Sequence, residues 1–508
     1  MAQTNNGPTP AKKPKHNKTH DELIEDAKLV KWFCEDLQSC SILDNNGCRN
    51  YFKVTIPNYV LPTAKKYLEE LIPEQYEEVS LLVKETLQSV DHVAITVDTW
   101  NYRKRSKNLW TATAHYVHQG KFVSQILFTE AKPKVEMLRT LLTKWGIFEK
   151  IVCFVTGHEK NEYLLNVINT LKIPNIFCAA ASFRLVFQEC SDYLITNEEF
   201  KKNFSDQTKL KKNKEEPFCW HNQYIALQEI INSCTIPEER TELDECVKIL
   251  KPFINSTNVL AKEQYITLSS IIPLIVGLKI QIDKCSPSTN RAKGFKDKLL
   301  KAIDSHFGPY ASDELLILAR KATFMDPRYT KAVLTEQADA VETEVIKELY
   351  GHHPGNPSNS GNPLDQPEPT PSTSDNLSDE NGPVNDFEDL FAFLNEKVKQ
   401  EMASNEMSMI VVEKVEIPKI DTKDDPFQFW DRHKNSSEYK QLYRMALKYL
   451  CIPATALPAE SISGELPWRK SASNYEYNER KKQLQFENIN KILFLHSYYS
   501  RISESNTN

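Results

Sequence analysis

No stretch of this sequence comes near the ~18 consecutive apolar residues that a membrane-spanning helix requires. The opening segment, MAQTNNGPTPAKKPKHNK, holds no apolar core, so no secretory leader is expected there. Neither sign of charge is in large excess. Sixty-three Lys and Arg stand against 69 Asp and Glu, a net charge of -6. That balance offers no global attraction to nucleic acid, and any such binding must come from local basic patches. The 11 cysteines have no paired spacing. Without a leader they are expected to be free, mostly buried thiols of a reducing compartment. No internal repeat is visible.

At 508 residues the chain is long enough for two or three cores. Residues 1–20 carry Lys12, Lys13, Lys15 and Lys18 and no acid. They read as a basic tail or a short nuclear-import signal. Residues 21–90 have helical character. The segment 351–385 is rich in Pro, Ser, Asn and Asp and poor in large apolar residues. It buries too little surface to offset its ordering entropy and reads as a linker.

Between them, residues 91–200 show the clearest pattern. Val93–Val97 is a short buried strand that leads to Asp98. After a basic turn, 109–117 alternates, with Trp110, Ala112, Ala114 and Tyr116 on one face and Thr111, Thr113 and His115 on the other. Gln119-Gly120 signals a hairpin, and 122–128 a third strand. A helix over 135–145, a strand over 151–155, a helix over 161–171, a strand over 176–178 and a helix over 181–194 follow. The order βββαβαβα predicts an α/β fold with a ribonuclease H-like mixed sheet. Residues 201–350 read as an all-α insertion, with helices over 250–260, 266–282 and 313–323. Residues 386–500 form a helical C-terminal region that completes the core. Its amphipathic helices, 437–450 and 486–498, are either core or a subunit interface.

Several stretches resemble hAT-superfamily transposases, especially their domesticated BED-finger relatives of the DREF type. They are Asn58-Tyr59-Val60-Leu61-Pro62, Ala94 through Trp100, Leu250-Lys251-Pro252-Phe253 with Thr267-Leu268-Ser269, Met325-Asp326-Pro327-Arg328-Tyr329, Phe429-Trp430, Lys448 through Thr455, and Asn488 through Leu495. The resemblance implies DNA cleavage by three carboxylates that hold two divalent ions. Asp98 matches the first position, although an Asp before Thr-Trp is also an ordinary turn or cap residue. The second, expected in a segment like "VTDNASN", falls on Gly157, which offers no ligand. Glu460 matches the third, in a stretch that has drifted from "PSERxFS". The family's "C-x-x-H" is reduced to Cys178-Ala179-Ala180-Ala181, and its "RW" to Cys219-Trp220. No Cys-x-x-Cys is present to begin a BED zinc site.

These readings predict a non-catalytic, nuclear, transposase-derived protein with no cofactor, no bound metal, no small-molecule substrate and no membrane association. It is expected to pair with itself or with a related hAT-type protein, and to bind double-stranded DNA through basic patches, with transcription regulation as the outcome. Candidate DNA contacts are Arg103, Lys104, Arg105, Lys107, Lys211, Lys212, Arg469 and Lys470; runs of this kind are more often simply solvated faces. Candidate dimer contacts are Phe429, Trp430, Leu450 and Leu493, with Phe429 and Trp430 readable as anchors or as core. The rivals are a residual metal-dependent transposase or nuclease, and a protein-interaction scaffold without a DNA role.

Overall fold

The computed structural model describes residues 19–102, 107–157, 162–194, 237–260, 267–307, 313–334, 337–350, 417–437, 439–456 and 484–507, together with Gln228 and Arg480. The chain divides into two compact units: residues 1–83 with 477–508, and residues 84–476. Residues 1–18 of the expected tail, the linker at 351–385 and Cys219-Trp220 lie outside the described residues, whereas Thr19 and His20 belong to the start of the first helix.

The N-terminal stretch forms α1 (His20–Glu35), α2 (Asn46–Thr55) and α3 (Ile72–Ser89). Thr19 starts α1 with a capping box: its hydroxyl accepts from the Glu22 amide while the Glu22 carboxylate accepts from the Thr19 amide.

The larger unit is built on five strands: β1 (Val93–Tyr102), β2 (Lys107–His118), β3 (Lys121–Ala131), β4 (Ile151–Thr156) and β5 (Asn175–Phe177). Their order across the sheet is β3-β2-β1-β4-β5. β1 pairs antiparallel with β2, and β2 with β3; β1 pairs parallel with β4, and β4 with β5. Helices α4 (Val135–Lys144), α5 (Glu162–Thr170) and α6 (Ala179–Leu194) fill the connections, so the expected element order stands. The β2–β3 turn places Gln119 and Gly120 at φ 51° and 68°, the left-handed backbone a tight hairpin demands.

β1 runs to Tyr102, beyond the short strand expected to end at Asp98. The cause is the hairpin. Antiparallel pairing with β2 continues from Asp98↔Thr111 to Tyr102↔Lys107, after the parallel pairing with β4 has stopped at Val97↔Thr156.

The predicted alternation on β2 is observed. Trp110, Ala112, Ala114 and Tyr116 are buried on one face, and Trp110 meets Tyr163 of α5 at 5.7 Å between ring centroids. The opposite face, with Ala94, Val117, Cys153, Val155 and Ile176, joins one continuous apolar core with the helices that follow. These are α7 (Pro237–Leu260), α8 (Ile271–Lys284), α9 (Asn290–Phe307), α10 (Asp313–Met325), α11 (Ala338–Tyr350), α12 (Pro426–His433) and α13 (Lys440–Leu450). The described part of 201–350 carries no strand of the sheet, as expected for an all-α insertion.

Several helix starts differ from the sequence reading; the helix expected from 250 begins at Pro237 and the one expected from 486 at Ile489. The helix expected from 266 begins at Ile271, because Thr267 bridges Pro453 and the Leu268 amide donates to Ile452 O at 2.8 Å. The helix expected from 437 begins at Lys440. α12 starts where Asp425 accepts from the Phe427 and Gln428 amides ahead of Pro426, the first-turn position proline tolerates.

The last helix, α14 (Ile489–Thr507), belongs to the other unit, with α1. The expected C-terminal region is therefore shared between the units. α12 and α13 complete the sheet-bearing core, whereas Leu493 and Phe494 of α14 are buried in the N-terminal unit, where Phe494 meets Tyr76 edge-on at 4.9 Å.

Candidate functional site

The parallel register of β1 and β4 ends at Val97↔Thr156, so the next residues, Asp98 and Gly157, lie side by side. Asp98 is half-buried and pairs in register with Thr111. Around it the hydroxyl of Thr111 accepts from the indole N–H of Trp100 at 2.9 Å and shares a 3.0 Å hydrogen bond with Thr129. Gly157 is exposed, and a Cβ placed on it would meet no atom within 4 Å. The corner has room for a second carboxylate but supplies none at this position. Glu130 cannot substitute, because it pairs in register with Trp110 and so shares the opposite face of the sheet. Glu460, His158 and Glu159 lie outside the described residues.

Two hard cations need several oxygen ligands from a shared set of carboxylates. Among the described residues no group of three His, Cys, Asp or Glu is placed to hold a metal ion. The described corner, with Asp98 beside a glycine, does not fit a two-metal centre.

A fully buried histidine lies on the same face as Asp98. His115 bonds Thr96 Oγ1 through Nε2 and Ser124 Oγ through Nδ1, both at 2.9 Å, and stacks on Phe122. Burial pushes its pKa down from 6.5 to about 3, so the ring is neutral. With its partners it is a structural bridge across three strands. The alternation pattern placed His115 on this face but carried no sign of its partners.

The family-like motifs converge elsewhere, in a buried polar knot. Asp326 is fully buried and grips Arg328 in a two-point pair, Nη2–Oδ2 at 2.8 Å and Nε–Oδ1 at 3.0 Å. Ser269 donates to Asp326 Oδ2 at 2.6 Å, and Thr323 donates to Ser269 O at 2.9 Å. Ser270 bonds the Tyr329 hydroxyl at 3.2 Å. The stretch 452–454 closes the knot. Ile452 O accepts from Leu268, and Ala454 O accepts from the Ala179 amide at 2.9 Å. Ala179 belongs to the stretch where the family's histidine is missing; its neighbours Cys178 and Ala180 are buried. The residues of the resemblance at 267–270, 325–329 and 451–455 thus hold the insertion, the sheet and the C-terminal helices together.

Next to the knot, Glu348 accepts from Lys321 at 2.8 Å, Lys448 at 2.6 Å and the Tyr449 hydroxyl at 2.5 Å. Burial alone would raise its pKa. The three hydrogen bonds, with the charge of Lys448, outweigh that and bring it to about 2.

The expected dimer anchors sit in this same interior. Trp430 is fully buried, and its indole N–H donates to Met325 O at 3.0 Å. Phe429 packs edge-on against it at 5.3 Å, and Leu450 is fully buried. The chain's own core occupies these side chains, because the apolar face of α12 and α13 is the lid over α10 and the sheet; Leu493 is likewise interior to its own unit. Of the candidate DNA contacts, Arg103, Lys104, Arg105, Lys211, Lys212, Arg469 and Lys470 lie outside the described residues, and only the backbone of Lys107, the first residue of β2, is placed. Among the described residues no helix is long and apolar enough to cross a membrane.

Comparison with known proteins agrees with this distribution of motifs. Residues 408–499 match the hAT family C-terminal dimerisation region. The chain is also similar to the human zinc finger BED domain-containing protein 4, at 20% identity over 532 aligned positions, 92% of this chain and 43% of that protein. The chain thus spans less than half the length of this relative. Both matches support a hAT-derived origin, and the family model places it in the C-terminal region.

Proposed function

We propose that this chain is a non-catalytic, transposase-derived nuclear protein with a ribonuclease H-like sheet, which pairs with itself or a related hAT-type chain and regulates transcription through DNA or chromatin. The observation that carries the non-catalytic reading is that Gly157, and not a carboxylate, follows the last parallel pair Val97↔Thr156 where Asp98 follows it on β1. Nothing else in the described corner replaces the absent carboxylate. The pairing reading is supported by the dimerisation-region match at 408–499. The nuclear and DNA-directed parts are supported by the similarity to the human zinc finger BED domain-containing protein 4 and by the basic runs at 103–107 and 211–212.

The test is direct. The full chain, incubated with Mg²⁺ or Mn²⁺ and transposon-end duplexes, is expected to give no strand cleavage or transfer. Cleavage that disappears in Asp98→Ala or Glu460→Ala would show a working metal centre and end the non-catalytic reading. A gel-shift series against salt divides DNA binding from a protein-only scaffold, since phosphate contacts weaken steeply as salt rises.

A further inference from the structure

α3 presents two unlike faces. Ile72, Val79 and Val83, at i, i+7 and i+11, are buried and fix how the helix is turned. On the other side Glu74, Glu77, Glu78, Leu81 and Leu82 are all exposed. They stand at i, i+3, i+4, i+7 and i+8, the spacing of one helical face. Leu81 is 60% exposed and Leu82 46%. Each leucine has a carboxylate one turn before it on the same face, Glu77 before Leu81 and Glu78 before Leu82.

The charge of this face is of one sign. From Tyr67 to Val83 the sequence holds five glutamates and no Lys, Arg or His. Glu78 accepts from Gln75 Nε2 at 3.0 Å, on its own helix, and neither Glu77 nor Glu78 forms an ion pair among the described residues. The first cation further along the helix, Lys84, lies over the Trp145 ring at 5.8 Å.

That chemistry selects the occupant. Nucleic acid and anionic lipid carry the same sign as the face and are repelled by it. A second copy of this chain, set against the same face about a two-fold axis, would bring glutamate against glutamate. Among the described residues no group of three His, Cys, Asp or Glu is placed to hold a metal ion. Lysine and arginine side chains fit on both counts. Their aliphatic stems cover apolar surface such as Leu81 and Leu82, while their charged heads reach carboxylates one turn away.

We propose that the outer face of α3 docks a lysine- and arginine-rich segment of another protein, with Leu81 and Leu82 under the side-chain stems and Glu74, Glu77 and Glu78 as the charge partners.

Fluorescence anisotropy of a dye-labelled peptide of Lys, Arg and Leu, titrated with the full chain, tests it. Binding is expected and should weaken as salt rises. Glu74→Lys/Glu77→Lys/Glu78→Lys should weaken it about 100-fold. Leu81→Gln/Leu82→Gln, which leaves the charge alone and keeps good helix formers, should weaken it about tenfold. Glu149→Lys/Glu238→Lys/Asp297→Lys makes the same change of charge at exposed acids of the other unit and should leave the affinity within about twofold. Absence of binding at low salt, or equal affinity in wild type and the α3 charge variant, overturns the proposal. An equal loss in the control variant shows attraction to net charge alone and overturns it as well. A peptide that binds only once residues 1–18 are removed assigns the face to the chain's own Lys12, Lys13, Lys15 and Lys18 and overturns the outside partner.

Discussion

The corner where β1 meets β4 and the knot that joins residues 267–270, 325–329 and 451–455 both carry hAT-like sequence, yet they hold their polar groups in opposite ways. In the knot each carboxylate oxygen of Asp326 has a defined donor, and the surroundings exclude water. At the corner Asp98 is half-buried, and its neighbouring strand ends in an exposed glycine with open space around it. The difference separates two physical roles for a carboxylate on the same fold. A carboxylate that holds elements together cannot be lost without leaving a buried charge unpaired. A carboxylate that only binds a metal can be lost from a strand end at no cost to folding.

Substitutions at the two places should therefore differ most. Asp326→Ala leaves the buried Arg328 guanidinium without its partner and is expected to cost ~3–5 kcal/mol in chemical denaturation. A loss below ~1 kcal/mol would erase the contrast.

His115 sharpens it on the sheet itself. Its folded pKa, about 3, lies below its ordinary 6.5, so below pH 6.5 the unfolded chain takes up a proton that the folded chain refuses. Stability should fall by roughly 2 kcal/mol between pH 6.5 and 5, and this slope should flatten in His115→Gln. Glu348 acts in a lower window. Its pKa is depressed to about 2, so its contribution is complete above the ordinary carboxylate value and is lost as pH falls toward 2. Measurement above pH 5 keeps the two apart; equal slopes in wild type and His115→Gln would remove His115 from the account.

Gly120→Ala tests the hairpin. A methyl group there would sit 2.8 Å from Asp431 Cβ, on a backbone already at φ 68°, and Gln428 Nε2 donates to Gly120 O at 2.9 Å. A loss of ~1–3 kcal/mol in thermal or urea unfolding is expected. The smallest effect belongs to Gly157→Asp, within about 0.5 kcal/mol of wild type, because nothing surrounds that position. A large destabilisation would mean that Gly157 serves the fold, and the idea of a ligand position lost without structural cost would fail.

The sheet was legible because its strands announce themselves by period. The alternation of 109–117 and the turn at Gln119-Gly120 both stand in the structure. The extension of β1 to Tyr102 was not, since it depends on pairing with β2 and not on the residues' own pattern. The reading of Gly157 as a lost ligand rests on the resemblance alone; what the register adds is that it follows Thr156 where Asp98 follows Val97. Phe429 and Trp430 show the limit of helical periodicity. A buried apolar face looks the same whether its partner is α10 of the same chain or a second copy, and only the bond from Trp430 to Met325 O decides where that indole rests. The division of the C-terminal region between the units was likewise invisible, because the contact of α14 with α1 joins the two ends of the sequence.

The bond from the Ala179 amide to Ala454 O has a consequence for how the protein is made. At roughly 5–20 residues per second, a ribosome that has just finished β5 needs roughly 14–55 s to deliver residue 454. Throughout that interval the sheet and the emerging insertion exist without α12, α13 or the indole of Trp430, and the apolar face they cover is open to water. The nascent chain should therefore be a substrate for holdase chaperones until residues 426–456 emerge, and truncations that stop before residue 426 should accumulate as aggregates while the 508-residue chain stays in solution.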